Sequence, residues 1–210
     1  MVWKKVLQKV VFITMTIVIM NFESLLTALA AENTITGVVQ ENIPGCGQTQ
    51  PCPPLGEVRV IEEKINREDT SDKVKGGLYA LQVPDSRSPY SLAYCKKDYI
   101  IETRSGRNQG SVQKREIVKM TNAQNTPKLP DADIELLIKS QWQFFLSALN
   151  EKRDRVWLEI PRQNLQMVLH AIEPTASPGT RRAYIAADLT KRIEVMAERL
   201  GPPWKSVCDK

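Results

Sequence analysis

Residues 76–85 read Gly-Gly-Leu-Tyr-Ala-Leu-Gln-Val-Pro-Asp (GGLYALQVPD), and this segment decides how the first half of the chain is read. Gly76-Gly77 supplies a turn. Leu78 to Val83 is a short β-rich run, and Pro84-Asp85 closes it. Segments of the same kind lie on both sides. Upstream are Thr34–Val39 and Glu57–Glu62, the latter with Val58 and Val60 on one face and Arg59 and Ile61 on the other. Downstream, Tyr90–Cys95 places Tyr90, Leu92 and Tyr94 on a common face. Asp98–Thr103 and the weaker Val112–Met120 follow. Short strands at this spacing predict a two-sheet sandwich over residues 33–121 rather than a parallel sheet.

The composition changes near residue 125. Residues 122–130 (NAQNTPKLP) hold two prolines and little apolar content, which predicts a linker. Residues 131–210 then read as a helical region. The first helix is capped by Asp131 or Asp133, runs to about Lys152, and carries Ile134, Leu137, Ile138, Trp142, Phe145 and Leu149 as its stripe. Trp142, Phe144 and Phe145 cannot all face one way, so one side is available to meet the sheets. Arg155–Ile160 looks strand-like. Pro161 opens a second helix burying Leu165, Val168, Leu169 and Ile172. The third helix spans Thr180–Leu200 and is stopped by Gly201-Pro202-Pro203. The expected class is α+β, a transthyretin- or immunoglobulin-like β-sandwich followed by a small three-helix unit.

Residues 1–30 carry an export signature: Lys4, Lys5 and Lys9, the uncharged run Val10–Met20, and Ala28-Leu29-Ala30 as a cleavage pattern. The other reading is an uncleaved anchor from Val10 to about Ala31. Glu23 opposes it, since a carboxylate near a spanning helix's centre costs about 2.5–3.5 kcal/mol. Cleavage near Ala30 removes three lysines and one glutamate, a net +2, so the formal charge falls from +5 to +3. That excess is too small to mark a nucleic-acid binder. With 42% hydrophobic and 25% charged residues, the chain is globular rather than disordered or polytopic. The expected location is the periplasm, the cell surface or the extracellular space, with contact to a membrane only through an uncleaved signal. Four cysteines in an exported chain imply two disulfides. Cys46 and Cys52 bracket a turn-forming GQTQP, which favours Cys46–Cys52 and leaves Cys95–Cys208. Their spacings of 5, 42 and 112 intervening residues do not form zinc pairs.

The first half also carries an ordered set of motifs: Gly37 and Val39; Pro54, Leu55, Val58 and Val60; Asp72, Gly77, Tyr79 and Leu81; Tyr90 and Leu92; then Asp98-Tyr99. In this order they resemble the carboxypeptidase regulatory-like domains, which are transthyretin-like β-sandwiches. The resemblance covers roughly residues 33–105. The family's threonine before the hairpin is missing, and the loop after the first strand is longer and holds two cysteines. The resemblance implies an accessory module without a catalytic site of its own. The helical half resembles no known family.

Candidate chemistry is sparse. His170 is the only histidine, which excludes mechanisms needing two. It reads as an ordinary helix residue, and no G-x-S-x-G elbow accompanies it. Glu62, Glu63, Glu68, Asp69, Asp72, Asp131, Asp133 and Glu135 are the carboxylates available to a hydrolase, which needs two across a cleft. Asp131-x-Asp133-x-Glu135 lacks the glycine and terminal glutamate of a calcium loop. Arg104, Arg107, Lys114, Arg115 and Lys119 form a basic stretch that can serve as a partner-binding loop. The expectation is a non-enzymatic binding or adaptor module of the cell envelope, without cofactor or metal, whose partner is a protein or a surface glycan. The alternatives are a subunit of a surface or secretion assembly, held by sheet edges, and a carboxylate-dependent envelope hydrolase.

Overall fold

In the computed structural model, residues 34–43, 46, 47, 50–63, 68–72, 75–82, 89–107 and 116–209 are described. The proposed signal segment, and Lys114 and Arg115 of the basic stretch, lie outside them. Among these residues seven strands form two sheets. In the first, β1 (Thr34–Glu41) lies between β4 (Leu78–Gln82), antiparallel, and β7 (Glu116–Met120), parallel. The second has the order β3 (Glu68–Thr70), β2 (Arg59–Glu62), β5 (Pro89–Cys95), β6 (Glu102–Arg107), antiparallel throughout.

Residues from both sheets meet in one apolar core that includes Val39, Leu81 and Val118 from the first and Val60, Leu92 and Tyr94 from the second. Backbone constraints explain two of the motif glycines. Gly77 has φ +77°, and a side chain there would run into the Val39 carbonyl. Gly37 pairs with Tyr79 across the β1–β4 ladder, and the tyrosine ring lies where a Cβ would stand.

The strand expected at 98–103 starts later. Asp98 takes a left-handed conformation (φ +66°), and Tyr99 N–H closes a turn on the Lys96 carbonyl. Ile101 is then held by a side chain instead of a ladder. Asn164 accepts from its N–H (2.8 Å) and donates to its carbonyl (2.8 Å). The strand expected from Glu57 likewise begins at Arg59, because Glu57 has φ +58°. Strand β3 carries only the polar triplet Glu-Asp-Thr and had no sequence signal.

Three helices follow: α1 (Asp131–Asn150), α2 (Arg155–Ile172) and α3 (Arg181–Leu200). Residues 122–130 are not a plain linker. Ala123–Lys128 is a 3-10 helix with Asn122 as its cap, and Ala123 and Thr126 are buried. Arg182 ties it down, donating to the Pro127 and Leu129 carbonyls (2.7 and 3.0 Å) and pairing with Asp131 (2.6 Å). Asp131 and Asp133 do not cap α1. Pro130 is at the N-cap, and the two acids sit in the first turn, where the helix dipole favours them.

Arg155–Ile160 is helix, not strand, and Pro161 lies inside α2 rather than at its start. Proline costs the helix the bond to the Trp157 carbonyl. Burial sustains the helix regardless, because Trp157 through Arg162 are all buried. Six consecutive buried positions hide the helical period in this opening stretch, although Leu165, Val168 and Ile172 show it farther along.

The α1 and α3 stripes meet α2 in a second core that includes Ile134, Phe145, Leu165, Val168, Leu189 and Met196. A third cluster joins helices to sheet. Ile61 and Ala93, on the outer face of the second sheet, meet Trp157 and Ile160 of α2 and Val207, with Phe144 packed alongside. The aromatic trio therefore divides. Phe145 enters the helical core, Trp142 lies partly buried on it, and Phe144 reaches the sheet cluster. The molecule is α+β, with the second sheet covered on both faces.

Candidate functional site

The C-terminal tail creates a cleft at the junction of sheet and helices. Cys95 ends β5, and its disulfide to Cys208 pins the tail over the strand end. Val207 is buried, Arg59 donates to the Cys208 carbonyl (3.4 Å), and Gln163 of α2 donates to Asp209 (2.7 Å). Burial raises the Asp209 carboxyl. Hydrogen bonds from Gln163 and from the Ser206 N–H and hydroxyl outweigh it, and the group lies below its ordinary range.

Beside this tail is a cavity of about 540 Å³. Its floor is apolar: Ile101, Met167 and the disulfide. Its rim carries Arg59, Lys96 and Lys97 against Glu57, Asp98 and Asp209, with Tyr99, Gln163 and Gln166 between them. Lys96 is anchored on the Gly56 carbonyl (2.9 Å) and beside Glu57 (3.4 Å). Tyr99 donates to Glu41 (2.9 Å). Two of the non-glycine residues with positive φ, Glu57 and Asp98, are in this rim. Such conformations concentrate where the surrounding structure fixes a functional geometry. An apolar floor with convergent polar groups of both signs suits a ligand that offers donors and acceptors along its length.

A second hollow of about 510 Å³ is lined by Asp98, Ala123, Gln124, Pro127, Met167, His170 and Ala171. His170 and Asp98 share it, and the lining contains no serine, threonine or cysteine. The carboxylates considered for hydrolysis are dispersed. Glu63 pairs with Arg153 (3.5 Å), Glu68 with Arg59 (2.6 Å), Asp72 with Lys75 (3.7 Å), Asp131 with Arg182 (2.6 Å) and Glu135 with Arg181 (2.8 Å). Asp69 accepts from the Ala80 N–H (2.7 Å), and Glu62 is buried in β2. None of the eight lines either hollow.

The described residues of the basic stretch are strand. Arg104 and Arg107 belong to β6 and Lys119 to β7, in different sheets. Arg104 stands 3.8 Å from Glu102, whose carboxyl burial pushes up to about 7 against the pull of that arginine. By register Glu102 shares the face of Tyr94, the core face. On β7, Glu116 accepts from Tyr90 (2.6 Å) and Tyr94 (3.2 Å), and Tyr94 bonds Tyr79 (2.7 Å). Burial raises all three phenols. Charges turned inward on edge strands block edge-to-edge pairing, so this cluster protects the sheets.

The sequence reading overlooked two features. One is the buried Glu159–Arg162 pair in α2, which also holds the Gly201 carbonyl (3.0 Å) and so fixes the start of the tail. The other is the junction cleft, whose residues come from positions 57 to 209. The pairing of Cys95 with Cys208 was the available clue, since it brings the tail beside Lys96–Tyr99. Among the described residues no helix is long and apolar enough to cross a membrane. Both disulfides, Cys46–Cys52 and Cys95–Cys208, point to an oxidising compartment. No family model, curated protein or solved structure matches the chain.

Proposed function

We propose that the protein is an exported, non-enzymatic binding module of the cell envelope, and that the junction cleft is where it holds a protein segment or a surface glycan. The cleft carries this reading: an apolar floor fixed by a disulfide, and a rim of both charge signs. Peptide backbone and sugar hydroxyls both present the alternating donors and acceptors that Lys97, Asp98, Gln163 and Gln166 complement. In this reading the two sheets are a transthyretin-like sandwich serving as scaffold, the helices supply one wall, and residues 1–30 direct export. Neither cofactor nor nucleic acid has a part.

The test is recovery of the partner from the native envelope by tagged wild type and by a Lys97→Glu, Gln166→Arg variant. Both substitutions are at the surface, so folding should persist. Recovery by wild type and at least tenfold less by the variant is expected. Equal recovery by both would remove the cleft from the account.

A further inference from the structure

We infer that α1 and α3 together form a self-association face on which a second copy of this chain docks, completing an intermolecular four-helix arrangement. The two helices run in the same direction, joined at their starts by Arg182–Asp131 and by a two-bonded Arg181–Glu135 pair (2.9 and 2.8 Å). Farther along, the Arg192 guanidinium lies 5.1 Å from the centre of the Trp142 ring. Helix α2 fills one side of this pair. The other side is an open groove of about 740 Å³ with Ile138, Trp142 and Ile185 at its base and Leu146 and Tyr184 on its walls.

This face is unusually apolar for a surface. Tyr184 is 71% exposed and Leu146 43%. Val195, at i+11 from Tyr184, continues the α3 stripe at 40% exposure, and Leu136 flanks the α1 side at 66%. Among the described residues, four of the six large exposed hydrophobic side chains are therefore on these two helices. Apolar groups gathered along one face, rather than scattered singly, mark a contact surface.

Charge and area select the occupant. Both signs stand on both helices: Glu135 and Lys139 on α1; Arg181, Asp188 and Arg192 on α3. A uniformly acidic or basic partner would meet like charge on each wall. A two-fold related copy, with its helices antiparallel to these, sets α3 against its own counterpart, and the mid-helix Asp188–Arg192 pair (2.7 Å) then faces the second copy's Arg192 and Asp188, so each sign meets its opposite. Each helix has 20 residues. At about 1.5 Å per residue and about 10 Å per helix width, the face measures about 30 by 20 Å, or about 600 Å² per partner. The doubled value of about 1,200 Å² is at the lower limit for specific interfaces, so a weak, reversible dimer is expected. No residue of α1 or α3 lines the junction cleft, so a dimer leaves two clefts open.

The test is sedimentation equilibrium of protein purified from an export-competent host, over concentrations spanning the micromolar range. Wild type should pass from monomer to dimer mass. Tyr184→Glu and Leu146→Glu should each weaken the dimer at least tenfold while circular dichroism remains unchanged. Should either variant lose its helical signal, Val195→Glu, at the end of the stripe, provides the same readout. Wild type that stays monomeric throughout overturns the proposal, as does a dimer insensitive to the substitutions. A monomer that instead holds a different protein on this face also overturns it. Self-association leaves cleft-dependent partner recovery untouched, so the two claims fail separately.

Discussion

Replacing Glu102 by glutamine should change how stability depends on pH, in a direction the structure specifies. Glu102 lies on the core face of β6 with its side chain 21% exposed and Arg104 3.8 Å away. Burial outweighs that arginine and raises the carboxyl from an ordinary 4.5 to about 7. At roughly 1.4 kcal/mol per pH unit, this makes the ionised form about 3 kcal/mol less favourable in the folded chain than in the unfolded one. The folded state therefore holds its proton more tightly. The contribution of Glu102 is fully present below pH 4.5, declines as the pH rises, and is gone above about 7. Glutamine keeps the shape and cannot ionise. The variant should match wild type near pH 4 and exceed it by up to about 3 kcal/mol near pH 8, the pull of Arg104 being already included in the net shift. Glu63 is also raised, chiefly by burial, but it is present in both proteins and cancels in the difference. Urea unfolding of both proteins with disulfides intact, at several pH values from 4 to 8, gives that difference directly. A variant whose stability runs parallel to wild type across the range, or falls below it at pH 8, would refute the reasoning.

Other substitutions test the joints of the fold. Replacing both Cys95 and Cys208 by alanine should cost about 4–5 kcal/mol in the chain-entropy estimate, because the bond closes a separation of 113 residues. The Cys46–Cys52 bond, separation 6, should contribute only about 2 kcal/mol by the same estimate; denaturant midpoints of the two double variants compare them. Asn164→Leu should destabilise by about 2–4 kcal/mol, since it strands the buried N–H and carbonyl of Ile101; urea unfolding reads it. Gly37→Ala should cost about 1–3 kcal/mol by forcing the Tyr79 ring off its strand, visible as a lower thermal midpoint.

What the sequence revealed follows from which signals are local. The alternation at Val58-Arg59-Val60-Ile61 is a two-residue pattern, and Val60 does enter the sheet core while Ile61 faces the helices. The stripes of α1 and α3 are helical for the same reason: each has one wet side, and Ile134, Ile138, Ile185 and Leu189 stand opposite it. Trp157–Arg162 is buried without a break, so the wet-and-dry pattern that distinguishes helix from strand is missing there. Asp98 and Glu57 adopt left-handed turns that neither glycine nor asparagine announces. The disulfide pairing was readable because Cys46 and Cys52 are close along the chain, which left only one pair for the remainder. The cleft was not readable, because Glu57, Lys97, Gln166 and Asp209 come together only after the tail is pinned.

The most direct test of the binding claim is photocrosslinking in the native envelope, with a photoreactive residue replacing Lys97 at the cleft rim or, as a control, Lys75 on an exposed turn. The account predicts one dominant adduct from position 97, of defined mass as a protein or a glycan, and none from position 75. Identical labelling from both positions, or no adduct from 97 while the exported protein is abundant, would contradict it.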